Sequence, residues 1–399
     1  MFHFTGGTVY LDDGFHTGID VLTKGKRIER VGPNVNSPAG AKKVKLTRGQ
    51  YLVPGLIDAH THIGLYEDGV GMIGQHGNEY GDHNTAYVRA MDAIFPKDMA
   101  FEDARKNGIV AVGAFPGSAN LFGGMCAVIR TYGETLQEML IDGYHGMKMA
   151  LGENPFRVGQ SLNKPPVTRM ANAGLIRKAL IETQNYIEKR DTTLKPDKKG
   201  SKRRKTAKGK DDEKKTFERD LGKEHIAMLL ENKIPARWHC HRRDDIETAI
   251  RISEEFGFKI ALEHCTEGWL IPEMIAKRGI TAIVGPMDTA RVKLELKHRD
   301  ERAPYILHKA GVNVCLMTDH PIIPIQHLRL NAAMAVRGGL KDEEALAMMT
   351  SKPAKLLNIA KDYGSISKGK LGCVAVYSGH PLDIRSRVEH VWIEGEEYC

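Results

Sequence analysis

Tyr51-Leu52-Val53-Pro54-Gly55-Leu56-Ile57-Asp58-Ala59-His60-Thr61-His62 is the stretch whose reading decides the fold. Its apolar residues, Leu52, Val53, Leu56 and Ile57, predict a buried strand. Two imidazoles at i and i+2 of a strand point to the same side of the backbone. Paired histidines at the mouth of a buried strand form half of a metal site. A bare His-x-His fits two surface histidines beside a turn equally well. What separates the two is whether further ligand types end later strands.

Outward from this stretch the chain alternates strand-like and helix-like runs. On its N-terminal side, Thr8–Leu11, Ile19–Leu22 and Ile28–Val31 are short β-like runs separated by Asp-Asp-Gly, Lys-Gly-Lys and Gly-Pro turns. The same texture returns at Val374–Tyr377 and from Val388 to Ile393. Between them, the helix-like 96–107 precedes the strand-like 108–115. Strand-like 234–240 is followed by helix-like 244–256, and 259–264 by 271–278. Strand-like 280–285 is followed by helix-like 304–310, and 312–319 by a helix around 342–357. Repeated β-then-α units imply a parallel sheet with right-handed crossovers. Roughly 300 residues with about eight such units fit a closed barrel. The expected fold is therefore α/β, a (β/α)8 TIM-like barrel over 53–360 with a small β-sandwich built from 1–52 plus 361–399.

In such a barrel chemistry sits at the C-terminal ends of the strands, and metal-ligand residues recur there. After His60 and His62 come Lys148 and Glu153 in Met-Lys-Met-Ala-Leu-Gly-Glu-Asn-Pro, then His239-Cys240-His241, His264, and Asp319 in Met-Thr-Asp-His-Pro. One strand-end histidine or aspartate is ordinarily a loop or capping residue; the whole series is a constellation. Pro116-Gly117-Ser118-Ala119-Asn120 with Gly123-Gly124 reads as a glycine-rich loop, either offering backbone N–H groups to a substrate carbonyl or simply turning. It has no P-loop lysine and serine.

Composition excludes several classes. The 399 residues hold no run near the roughly 18 apolar residues of a membrane helix. The N-terminus does not read as a signal peptide. Six cysteines without Cys-x-x-Cys spacing suit reduced thiols in a cytoplasmic protein. Net charge is +8, but residues 195–215 hold 11 Lys/Arg and 4 Asp/Glu, which is +7 and leaves +1 elsewhere. The segment at about 191–216 has too few apolar residues to offset its ordering entropy and is expected to be a mobile basic insertion, not a nucleic-acid surface.

Taken together, the Val53–His62 motif, Gly152-Glu153-Asn154-Pro155, His239-Cys240-His241, Glu263-His264, Thr318-Asp319, Pro353-Ala354-Lys355 and 364–370 resemble the metal-dependent amidohydrolase superfamily, in particular its imidazolonepropionase-like branch. The resemblance spans nearly all of the chain except the basic insertion. One departure lies near the C-terminus, where Gly369-Lys370-Leu371-Gly372-Cys373-Val374 stands in place of the usual Gly-Lys-Asp-Ala-Asp-Leu.

The resemblance implies hydrolysis at a C–N bond by metal-activated water. It makes His60, His62, His239, His264 and Asp319 ligands, and Asp319 the general base and then acid. The bridging position is expected at Glu153, with Lys148, as a carbamylated lysine, the alternative. His241 is expected as a substrate or outer residue that could exchange roles with His239. Arg169 is a candidate clamp for a substrate carboxylate. Zn2+ suits the ligands best, as one or two ions, with Fe2+ or Mn2+ as alternatives. A small-molecule substrate, no membrane contact and a homo-oligomer complete the expectation. A deaminase of a heterocycle and a non-catalytic scaffold are the competing readings.

Overall fold

The structure, a computed structural model, describes residues 1–194 and 217–399. The basic insertion thus lies almost wholly outside the described residues. Eight strands make the barrel sheet and are numbered in chain order: β1 (Leu56–Thr61), β2 (Ile109–Ala114), β3 (Phe122–Arg130), β4 (Leu140–Ala150), β5 (Ala236–Cys240), β6 (Ile260–His264), β7 (Thr281–Val284) and β8 (Val314–Leu316). Their order in the sheet follows the chain.

The mixed α/β architecture agrees with the sequence reading, with one exception in topology. β3 runs antiparallel to both β2 and β4, whereas the other neighbouring strands pair in parallel. A parallel crossover needs a dozen or more residues. The connection 115–121 is shorter than that, so the chain turns straight back. Gly123 and Gly124, expected in a loop, therefore lie inside β3. The pleat there is crowded: a Cβ on Gly124 would stand 2.5 Å from the Val88 carbonyl oxygen.

The barrel closes between β8 and β1. His62 N–H donates to the His320 carbonyl at 2.7 Å, and Asp319 N–H to the His60 carbonyl at 3.2 Å. Asp58, fully buried, reinforces the seam: it accepts from Thr318 Oγ1 at 2.6 Å, Thr318 N–H at 3.1 Å and His60 N–H at 3.2 Å. A buried donor left unpaired costs about 1–3 kcal/mol. Asp58→Ala, which strands all three, is expected to lower the urea midpoint sharply, and an unchanged midpoint would refute the staple.

The second sheet joins both termini. Its hydrogen-bonded order is Glu396–Glu397, Val388–Ile393, Val374–Tyr377, Lys42–Pro54, Phe2–Leu11, Asp20–Lys24 and Arg27–Gly32, with Gly14–Thr17 beside Phe2–Leu11. Side chains on its central strands alternate between two cores, as a two-residue period requires. Leu52, Val374 and Val376 join Phe4, Val21, Ile28 and Trp392 in the sheet's own core. Val53, Ala375 and Tyr377 face the barrel core instead. Gly108 lets the two bodies meet. It has φ +75°, and a Cβ there would lie 3.1 Å from both Ala375 Cβ and Tyr377 Oη. Long helices such as Arg169–Leu194 and Arg243–Phe256 pack outside the barrel. No helix among the described residues is long and apolar enough to cross a membrane.

Candidate metal centre

The strand-end residues converge on the C-terminal mouth of the barrel in two groups. His60, His62 and Asp319 form one, and His239, His241 and His264 the other; within each group the ligand atoms lie within 4.8 Å of one another, and all six residues are buried. The groups adjoin: the His60 and His264 rings are 5.7 Å apart, and the His239 and His264 rings 4.4 Å.

Backbone strain helps to aim the ligands. Two-residue alternation along β6 sends Glu263 and His264 to opposite faces. His264, however, has φ +67° and Asp319 has φ +57°, both in the left-handed region that non-glycine residues seldom occupy. Such outliers cluster at functional sites. The turn at His264 brings its ring to the mouth beside His239 and His241.

Hydrogen bonds to one nitrogen of each ring fix which nitrogen stays free. His60 Nδ1 donates to Glu263 Oε2 at 2.8 Å, His62 Nδ1 to the Phe115 carbonyl at 2.6 Å, and His264 Nδ1 to the Gly285 carbonyl at 3.0 Å. Each Nε2 then carries a lone pair. Asp319 Oδ1 stands 3.2 Å from His62 Nε2 and 3.5 Å from His60 Nε2, yet receives no hydrogen bond. His239 Nδ1 is likewise buried without a partner. A buried carboxylate oxygen without a donor, set among converging imidazole nitrogens, is what a cation would satisfy, so the residues present fit a divalent metal.

Electrostatics favour the neutral imidazoles that metal binding requires. Burial, followed by the Lys148 ammonium, holds His60 well below the usual histidine pKa. Burial does the same for His239 and His241, and brings His264 down to about 4 against the pull of Asp319. Burial alone would raise Asp319, but His264 and His62 outweigh it and keep its carboxylate below the ordinary range.

The fold sets the two residues considered for the bridging position in different places. Lys148, fully buried on β4, has Nζ 3.2 Å from His60 Nε2. Glu153 instead opens the helix Glu153–Leu162 with its N–H bonded to Glu295 Oε1, and belongs to neither ligand group. The strand ends at Ala150, so Glu153 falls beyond it, after the Leu151-Gly152 turn. His241, expected as an outer residue, stands inside the histidine trio, with Nδ1 2.7 Å from Thr266 Oγ1. Arg169 is engaged elsewhere: Nε donates to Asp245 at 3.1 Å, and Nη2 lies 3.7 Å from the buried Glu295. Its Nε is thus committed to a carboxylate of the protein itself, while Nη2 has no hydrogen-bond partner among the described residues.

Several contacts had no assigned role in the sequence. Asn154 Nδ2 lies 2.8 Å from Ser118 Oγ and 3.4 Å from His239 Nε2, and Lys293 Nζ donates to Asn154 Oδ1 at 3.1 Å. Asn154 lies within the Gly152–Pro155 motif; Lys293, on the segment after β7, carries no spacing that would single it out.

A model of the amidohydrolase family matches residues 51–397, which span both ligand groups. This chain belongs to the amidohydrolase family. It is 30% identical over 366 residues to amidohydrolase tasK of Hapsidospora irregularis, covering 87% of this chain and 36% of that protein. The chain thus spans about a third of that relative's length. An amidohydrolase from Thermotoga maritima MSB8 superposes with TM-score 0.91 at 41% identity, over 100% of both chains. A prolidase complexed with N-methylphosphonate-L-proline shares the fold at 16% identity, with TM-score 0.59 over 99% of this chain and 98% of that one. Divalent metals are general in the amidohydrolase family, and the two ligand groups stand where this chain would hold them.

Proposed function

We propose that this protein is a metal-dependent hydrolase of a C–N bond in a small amide, cyclic amide or peptide-like substrate. The observation that carries this reading is the convergence of the two groups of buried ligand-type residues, with Asp319 Oδ1 lacking a donor beside the His60 and His62 imidazoles and Lys148 against His60. His60, His62 and Asp319 would hold one cation, Zn2+ by donor chemistry. His239 and His264, with His241 beside them, would hold a second. Lys148, beside His60, would be the further ligand in place of Glu153.

A bound cation activates water and polarises the scissile carbonyl. The chain's own groups do the rest. Asp319, with Oδ1 turned to His60 and His62, takes the water proton on Oδ2 and returns it to the leaving nitrogen, base first and acid second. Burial holds the His60, His239, His241 and His264 imidazoles toward the neutral form. Asn154, Ser118 and Lys293 line up beside His239 and offer polar atoms that can orient a substrate.

Elemental analysis of the purified protein, with turnover of amides, hydantoins, lactams and N-acyl amino acids before and after chelation, tests the reading. Bound divalent metal and activity lost to chelator and restored by Zn2+ are expected. A metal-free, chelator-indifferent protein would overturn it, and ammonia release from a heterocycle would replace it with deamination.

A further inference from the structure

Deep in the barrel, on the far side of His60 from its Nε2, lies an ion pair with no solvent contact. Arg237 of β5 and Glu263 of β6 are both fully buried. Arg237 Nε donates to Glu263 Oε1 at 2.5 Å, and its Nη2 to the Ala59 carbonyl at 3.3 Å. The other carboxylate oxygen, Oε2, accepts from His60 Nδ1 at 2.8 Å. A buried ion pair is weak evidence of stabilisation, because apolar side chains of similar volume often serve as well or better. Its presence under a ligand histidine calls for a different explanation.

The surrounding packing is built around this pair. Gly146 on β4 leaves room for the arginine, since a Cβ there would stand 2.8 Å from Arg237 Cγ. Gly113 on β2 does the same for Phe115, whose ring a Cβ would approach to 2.9 Å. Phe115 in turn packs against both the guanidinium and the His60 ring. Its ring centroid is 4.3 Å from the guanidinium carbon and 4.7 Å from the His60 ring, and its carbonyl accepts from His62 Nδ1. Flipping the His60 ring would place a carbon against Glu263 Oε2 and strand that buried carboxylate oxygen.

We propose that Arg237 and Glu263 are a positioning pair: Arg237 aims the Glu263 carboxylate, and Glu263 locks His60 as its Nδ1–H tautomer, with the Nε2 lone pair presented to the mouth. This rests on the metal-binding reading above only for its consequence. The tautomer itself is a property of the protein without metal.

The test uses the full chain labelled with 15N-histidine, stripped of metal, and then titrated with Co2+ against a competing chelator. Wild type is expected to show His60 protonated on Nδ1. Glu263→Gln is expected to mix the His60 tautomers, and both Glu263→Gln and Arg237→Lys to weaken Co2+ binding roughly 10–100-fold, as outer partners of ligand histidines typically do. If Glu263→Gln does not fold, Glu263→Asp, whose shorter side chain retreats from His60, is read the same way. Unchanged tautomer and Co2+ affinity in the folded variants would overturn the positioning role. A wild type that ignores Co2+ while keeping the locked tautomer would refute the metal reading and leave the lock standing.

Discussion

Asp319→Asn is expected to lower kcat roughly 1,000-fold or more, because general acid–base groups contribute about 100- to 10,000-fold and this residue is proposed both for that role and as a ligand. Stability should barely change. Asparagine has nearly the same volume, and it tolerates the left-handed backbone that Asp319 adopts at φ +57°. It cannot, however, take a proton from water at neutral pH, and it offers a cation a neutral oxygen in place of an anionic one. The comparison is kcat at saturating substrate in the Zn2+-loaded proteins, with thermal melts alongside. Turnover within tenfold of wild type in a correctly folded variant would remove Asp319 from the proton path.

Lys148→Met is the second large effect, and it separates the two candidates for the bridge. Losing an outer partner of a metal ligand costs 10–100-fold, so losing a bridging ligand is expected to cost more than about 100-fold in kcat/KM and to reduce the metal bound per chain. The fold should survive, since replacing a buried ammonium with an apolar chain of similar length is often neutral or stabilising. Burial already pushes the Lys148 pKa down against the opposing pull of Glu263 and Asp319. That favours the free amine, which can attack carbon dioxide, form an N–C bond and release a proton to become a carbamate. The matched control is Glu153→Gln, whose residue opens a helix and belongs to neither ligand group; its activity should fall far less. Paired measurements of metal content and kcat/KM decide. Equal losses in the two variants, or a larger one in Glu153→Gln, would return the bridge to Glu153.

These cases show how far the residues speak for themselves. His60, His62, His239 and His264 were readable because imidazoles at the ends of apolar strands break an otherwise buried pattern, and they recur at barrel spacing. Asp319 was readable for the same reason, after the apolar run of β8. Lys148 and Glu153 were both visible, and Glu153 was preferred for its place at the expected strand end; where β4 ends, at Ala150, sets Lys148 rather than Glu153 on the strand. Arg237 and Glu263 stood two residues before His239 and one before His264, and charged residues inside buried strands were the available signal. Their partnership could not be read, since it joins neighbouring strands in a specific register: Arg237 opposite Ala261 and His239 opposite Glu263.

By itself the sequence determined the alternating architecture, the sheet shared by both termini and the kinds of ligand gathered at the mouth. Those follow from local periodicity, which each segment carries within its own residues. The antiparallel return of β3, the Asp58 seam, the left-handed turns that re-aim His264 and Asp319, and the choice of Lys148 over Glu153 beside His60 were decided only in the tertiary structure. Each depends on the distance between groups far apart in the chain. Strand register and barrel closure set that distance, and no local pattern encodes it.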